Sequence, residues 1–194
     1  MSIIVERESL STKSRFVTPT YSDASGQQLV IGSEHPLPQM PLSELRLEEG
    51  RAYALGYSYT FDNPLAAGAS LDIALAFAAG ITPEISISGL CVGDAIGYLY
   101  EGATVTGGTP LTAINKNRNS LTASQSAALL NPTVTDTGTM ILRQVLIGGS
   151  GKKASGGQTG SADLILKPLT TYLFRITNVN GTDHVAEIIL EWIE

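Results

Sequence analysis

Charge is scarce in this 194-residue chain, since only 15% of its residues are Asp, Glu, Lys or Arg. Twelve cations against eighteen anions leave a formal charge of −6, the wrong sign for a protein whose main partner is a phosphate backbone, so nucleic acid is not the expected ligand. Cysteine occurs once, at Cys91, which excludes an internal disulfide; in its apolar segment the thiol reads as a small buried hydrophobe. Only two histidines are present, His35 and His184, and neither has a nucleophile or an acid at a useful spacing. Two His and one Cys scattered along the chain match no metal-ligand pattern either, so no cofactor and no metal are expected. Long apolar runs are missing as well. The longest candidate, Leu71–Ile81, carries Asp72 and falls short of the roughly 18–20 residues a bilayer helix needs, so no membrane partner is expected. The first residues, MSIIVERESLSTKSR, mix acids and bases and lack the pattern of a secretory signal, which predicts synthesis and retention in a cytoplasm. A soluble surface usually carries about a quarter or more charged residues. The low charge therefore predicts a surface covered in part by other chains.

What is present divides into two regions. Residues 1–49 carry Pro19, Pro36, Pro38 and Pro41 and no sustained period of 2 or 3.6, and read as an extended arm with one short strand over Gly26–Ile31. Residues 50–194 show strands separated by Gly, Asn, Asp and Pro clusters, the pattern of an antiparallel β-sandwich. Tyr53, Leu55, Tyr57, Tyr59 and Phe61 alternate with small residues, and the tyrosine stripe reads as core or interface in preference to a sugar platform. Leu71, Ile73, Leu75 and Phe77 repeat the alternation. The clearest local structure is a final hairpin, Thr171–Asn178 and His184–Ile193, whose second strand carries the single Trp. Ala123–Leu130 (ASQSAALL), stopped by Asn131-Pro132, predicts a short helix. Gly148–Ser161, with six glycines, reads as a flexible surface loop; its GGSGKK run lacks both the spacing and the following helix of a phosphate-binding loop. Asn115-Lys116-Asn117-Arg118-Asn119-Ser120 concentrates hydrogen-bonding groups, with Asn115, Asn117, Arg118 and Asn119 as candidates for a polar contact with a neighbouring subunit.

Several of these segments together resemble capsid-decoration and head-fibre proteins of tailed bacteriophages. The carriers are Gly26-Gln27-Gln28-Leu29-Val30-Ile31, Pro36-Leu37-Pro38, Gly108-Thr109-Pro110, the Asn115–Ser120 segment, and Leu164-Ile165-Leu166-Lys167-Pro168 with Thr171–Asn178 leading to Leu190-Glu191-Trp192-Ile193-Glu194. The likeness spans roughly residues 25–194. It implies a jelly-roll β-sandwich, a homotrimer seated on the outer capsid surface of the virion, the major capsid protein as partner, and no enzymatic activity. On this reading the arm anchors the protein through apolar patches, Ile3-Ile4 and Leu29-Val30-Ile31. The alternative is a tail-fibre or baseplate module that binds a receptor or glycan.

Overall fold

A computed structural model describes residues 20–22, 28–30, 42–148 and 162–194. The chain separates into two compact units, Met1–Pro41 and Leu42–Glu194. In the first, β1 (Thr20–Ser22) and β2 (Gln28–Val30) pair antiparallel, with Tyr21 opposite Leu29. Leu29 and Val30 of the expected anchor patches lie on β2, whereas Ile3, Ile4, Ile31 and the Pro36–Pro41 run lie outside the described residues.

The second unit opens with a helix, α1 (Leu42–Glu48), inside the stretch where the sequence shows no period. Glu44 in its first turn and Arg46 in its last complement the helix dipole. It ends in a Schellman cap: Gly50 at φ +70° donates to the Leu47 carbonyl (3.1 Å) and Arg51 N–H to the Arg46 carbonyl (2.9 Å). A Cβ on Gly50 would stand 2.2 Å from Ser120 Oγ, so glycine is required there for space as well as for its backbone angle.

The strands of this unit follow in order as β3 (Ala52–Tyr59), β4 (Ser70–Phe77), β5 (Glu84–Cys91), β6 (Ala95–Glu101), β7 (Thr104–Thr106), β8 (Thr109–Leu111), β9 (Ile114–Asn115), β10 (Ser126–Leu130), β11 (Thr133–Asp136), β12 (Thr139–Leu146), β13 (Ala162–Ile165), β14 (Tyr172–Asn178) and β15 (Ala186–Ile193). They form a six-stranded sheet in the order β12-β6-β14-β4-β10-β8 and a five-stranded sheet in the order β13-β5-β15-β3-β9. Eight of these strands pair as nested antiparallel partners: β3 with β15, β4 with β14, β5 with β13, and β6 with β12. That nesting is a long hairpin rolled so that successive pairs alternate between two sheets, and the fold is a jelly-roll sandwich, as the sequence leads one to expect.

Period-2 alternation decides which side chains enter the core. From β4 come Leu71, Ile73, Leu75 and Phe77, and from β15 Ile188, Leu190 and Trp192, all buried. Trp192 stacks on Tyr53 (ring centroids 6.0 Å apart) and meets Phe77 edge-on (5.7 Å), so aromatics from both sheets close one end of the core. The tyrosine stripe is core at Tyr53; Tyr57 and Tyr59 are half-buried against the core, and Phe61 is exposed beyond the strand.

The expected helix over Ala123–Leu130 does not form. Ser126–Leu130 is strand β10, hydrogen-bonded between β4 and β8 with Ala128 and Leu130 turned into the core. Eight residues, five of them Ala or Leu, favour a helix only weakly, and pairing with a buried strand outweighs that preference. The segment β7–β11 is inserted between β6 and β12. Its β7–β11 ribbon covers part of the outer surface of the six-stranded sheet: Val105 and Val134 pack with Tyr100 and Leu129 over Ala74, Ala103 and Leu173 in a second, smaller apolar cluster.

Candidate interaction surfaces

The Asn115–Ser120 segment leads from β9 toward β10. Asn115 is buried, and its Nδ2 donates to the Gly50 carbonyl (2.8 Å) and the Thr122 carbonyl (2.9 Å), while its Oδ1 accepts from Asn117 N–H (2.9 Å). Asn117 Nδ2 donates to the Glu48 carbonyl (2.9 Å), and Asn117 Oδ1 accepts from Asn119 N–H (3.1 Å). Much of the hydrogen-bonding capacity of these asparagines is thus spent on the chain's own backbone, pinning the loop to the end of α1. Arg118 and Asn119 stand at the surface, with the Arg118 guanidinium 3.4 Å from the Asn115 carbonyl. A second buried asparagine, Asn178, has the same role at the opposite end of the sandwich, donating to the carbonyls of Leu65 (3.1 Å) and Thr182 (2.9 Å). Its place at the end of β14, just before Asn180-Gly181, is a signal visible in the sequence.

Polar groups elsewhere also bind locally. Glu101 accepts from Lys167 Nζ (2.6 Å) and Tyr172 OH (2.8 Å), and the Lys167 hydrogen bond first, then that of Tyr172, holds its carboxyl below the ordinary glutamate value. The Glu194 carboxylate gathers Ser124 Oγ (2.5 Å), the Gln125 N–H (3.1 Å) and Trp192 Nε1 (3.0 Å). Burial pushes the Cys91 thiol up, away from a nucleophilic thiolate. Among the described residues no group of three or more His, Cys, Asp and Glu could hold a metal ion, and no helix is long and apolar enough to cross a membrane. A cavity of about 40 Å³ between the sheets, lined by Leu99, Leu142, Leu146, Phe174 and Ile188, is apolar and far below the size of a substrate pocket.

The outward surface of the six-stranded sheet is the chemically distinctive one. Cross-strand register places Arg143, Tyr98, Arg175 and Asp72 in one row across β12, β6, β14 and β4. Arg175 and Asp72 meet through two hydrogen bonds of 2.7 and 2.6 Å, and the Asp72 hydrogen bonds, opposed by partial burial, hold the guanidinium above its ordinary value. Tyr98 and Tyr100 stack with ring centroids 5.7 Å apart. Arg143 is exposed and has no ion pair among the described residues. On the edge strand β12 and just past it, Met140 (52% exposed), Ile141, Leu142, Val145 (61%) and Ile147 (72%) are all exposed large hydrophobics. Val179 joins them: Val179 N–H donates to the Asp94 carbonyl (3.1 Å), and Gly148 N–H donates to Asp94 Oδ1 (2.9 Å). Apolar side chains exposed along an edge strand that no other described strand covers are costly in water and invite a partner.

No protein-family model, no curated protein and no solved structure matches this chain.

Proposed function

We propose that this chain is a virion structural protein of a tailed bacteriophage that decorates the capsid shell and stabilises it by binding major capsid protein subunits, working as a homo-oligomer, a trimer on the resemblance above, and by binding alone. The observation that carries the reading is the concentration of exposed large apolar residues over 140–147, where Met140, Ile141, Leu142, Val145 and Ile147 stand within one short segment. Such a surface is worth its solubility cost when another chain covers it. The phage-like segments supply the partner, and repetition over a symmetric shell turns modest affinity per copy into firm attachment. Contacts across capsomer boundaries would raise the cost of separating shell subunits under the pressure of packaged DNA.

Electron microscopy of virions with and without this protein tests the reading. Expected are extra densities on the shell that vanish when the gene is deleted, together with DNA release at lower temperature. An unchanged shell with density missing from the tail would overturn it in favour of a fibre or baseplate component. Removal of residues 1–31 should abolish shell binding and leave the β-domain folded; undiminished decoration by the truncated protein would refute the anchoring role of Ile3, Ile4, Leu29, Val30 and Ile31.

A further inference from the structure

We propose that the β12 side of the sandwich docks head-to-tail against the outer surface of the five-stranded sheet of a second copy of this chain. This rests on the reading above only in supplying the oligomer it requires. The β12 side offers apolar side chains around one cation, Arg143, that has no acidic partner among the described residues. The opposite surface of the same molecule offers the complement. Outward positions of β5 and β15 carry Glu84, Glu187 and Glu191, and among the described residues only Glu191 has an ion-pair partner, Lys116 (2.9 Å). Between those acids the surface is low, made of Ser86, Ser88 and Gly56, with Ile189 at its centre. Acidic and partly apolar on one side, cationic and apolar on the other, the two surfaces are complementary in charge. The bare half spans β12 and β6, and two strands spaced about 4.8 Å apart with eight residues rising about 3.3 Å each make a face of roughly 250 Å², small beside the roughly 800 Å² per partner of a stable interface, so the expected association is of modest affinity.

Charge and backbone both argue against the symmetric alternative, in which β12 pairs with its own copy. Antiparallel pairing centred on this strand would bring two Arg143 side chains together, and the bulge between Met140 and Leu142 interrupts the ladder such pairing needs. A heterologous contact uses different surfaces on the two copies and so sets Arg143 against the glutamates.

Sedimentation equilibrium or light scattering on the full-length protein reads the result. Expected is a mass that is a small multiple of 20.4 kDa. Arg143→Glu should weaken association at least tenfold, the doubly reversed Glu84→Arg/Glu187→Arg protein likewise, and the protein carrying all three changes should regain it. Circular dichroism controls for folding; Arg143 makes no ion pair among the described residues, so its reversal should leave the spectrum unchanged. A monomeric wild-type protein, or charge reversals whose combination does not restore association, overturns the proposal. A monomer that still decorates shells would sink this inference and leave the shell-binding reading standing; an oligomer that ignores shells would do the reverse.

Discussion

The outward surface of the six-stranded sheet has two halves that the same rules build and that end differently. Under the β7–β11 ribbon, the outward residues Ala74 and Leu173 are as buried as the central core. Toward β12, outward residues of the same sheet stay in water: Val145 is 61% exposed and Met140 52%. Side-chain alternation turns a set of residues outward in both halves, and only the presence of an inserted cover separates an internal layer from a docking surface. The comparison locates function by what the fold leaves uncovered. Under the proposed docking it would also account for the low charge of the chain, because a surface covered by protein gains little from ions.

Breaking the covered half should have the largest effect. Leu173→Ala removes a fully buried side chain and should cost about 2–4 kcal/mol of folding stability, measurable by denaturant titration. Next is the Arg175–Asp72 pair at the boundary between the halves. Asp72→Ala leaves a partly buried guanidinium without its bidentate partner and should cost about 2 kcal/mol, less than the 3–5 of a fully buried pair. Replacing both by apolar residues of similar size should recover most of that loss, a double-mutant cycle that separates the pair's own worth from the penalty of orphaning one charge. In the bare half, Val145→Ser should change stability by no more than about 0.5 kcal/mol while weakening self-association; a large loss of stability there would mean that β12 is packed within the molecule.

The smallest expected effect concerns pH. Glu101 ionises below the ordinary glutamate value in the folded chain, because Lys167 and Tyr172 donate to it. Its stabilisation is therefore complete above the unfolded value and fades as pH falls through the lowered folded one. Glu101→Gln should lower the melting temperature slightly near neutrality and leave it almost unmoved at the acid end, which flattens the acid limb of the profile.

How much of this was legible in the sequence follows from which forces are local. The strands β3 and β15 announce themselves because each turns one face to the core, and alternation such as Ile188, Leu190 and Trp192 against Glu187, Ile189 and Glu191 records that geometry in order. The jelly roll was legible only as a class, since nesting β3 with β15 joins residues more than a hundred apart. Ala123–Leu130 misled because its helix preference is local while its partner, β4, is distant. The helix α1 was missed because seven residues give too short a period to read, although its Gly50 cap is built from local backbone hydrogen bonds. The exposed edge was illegible altogether. Met140, Ile141, Leu142, Val145 and Ile147 read in sequence as any core strand, and only the end of the strand order at β12 makes them a surface. Asn115 was picked out for its hydrogen-bonding capacity, and the structure places that capacity in the joint between α1, β9 and the loop at Thr122.

Amide hydrogen exchange of the full-length protein across a dilution series tests the central claim, that β12 is covered by a second copy, most directly. The account predicts that amides of Thr139–Leu146 are protected at high concentration and lose protection on dilution, while those of β4 and β14 stay protected throughout. Exchange in β12 that is independent of concentration would contradict it.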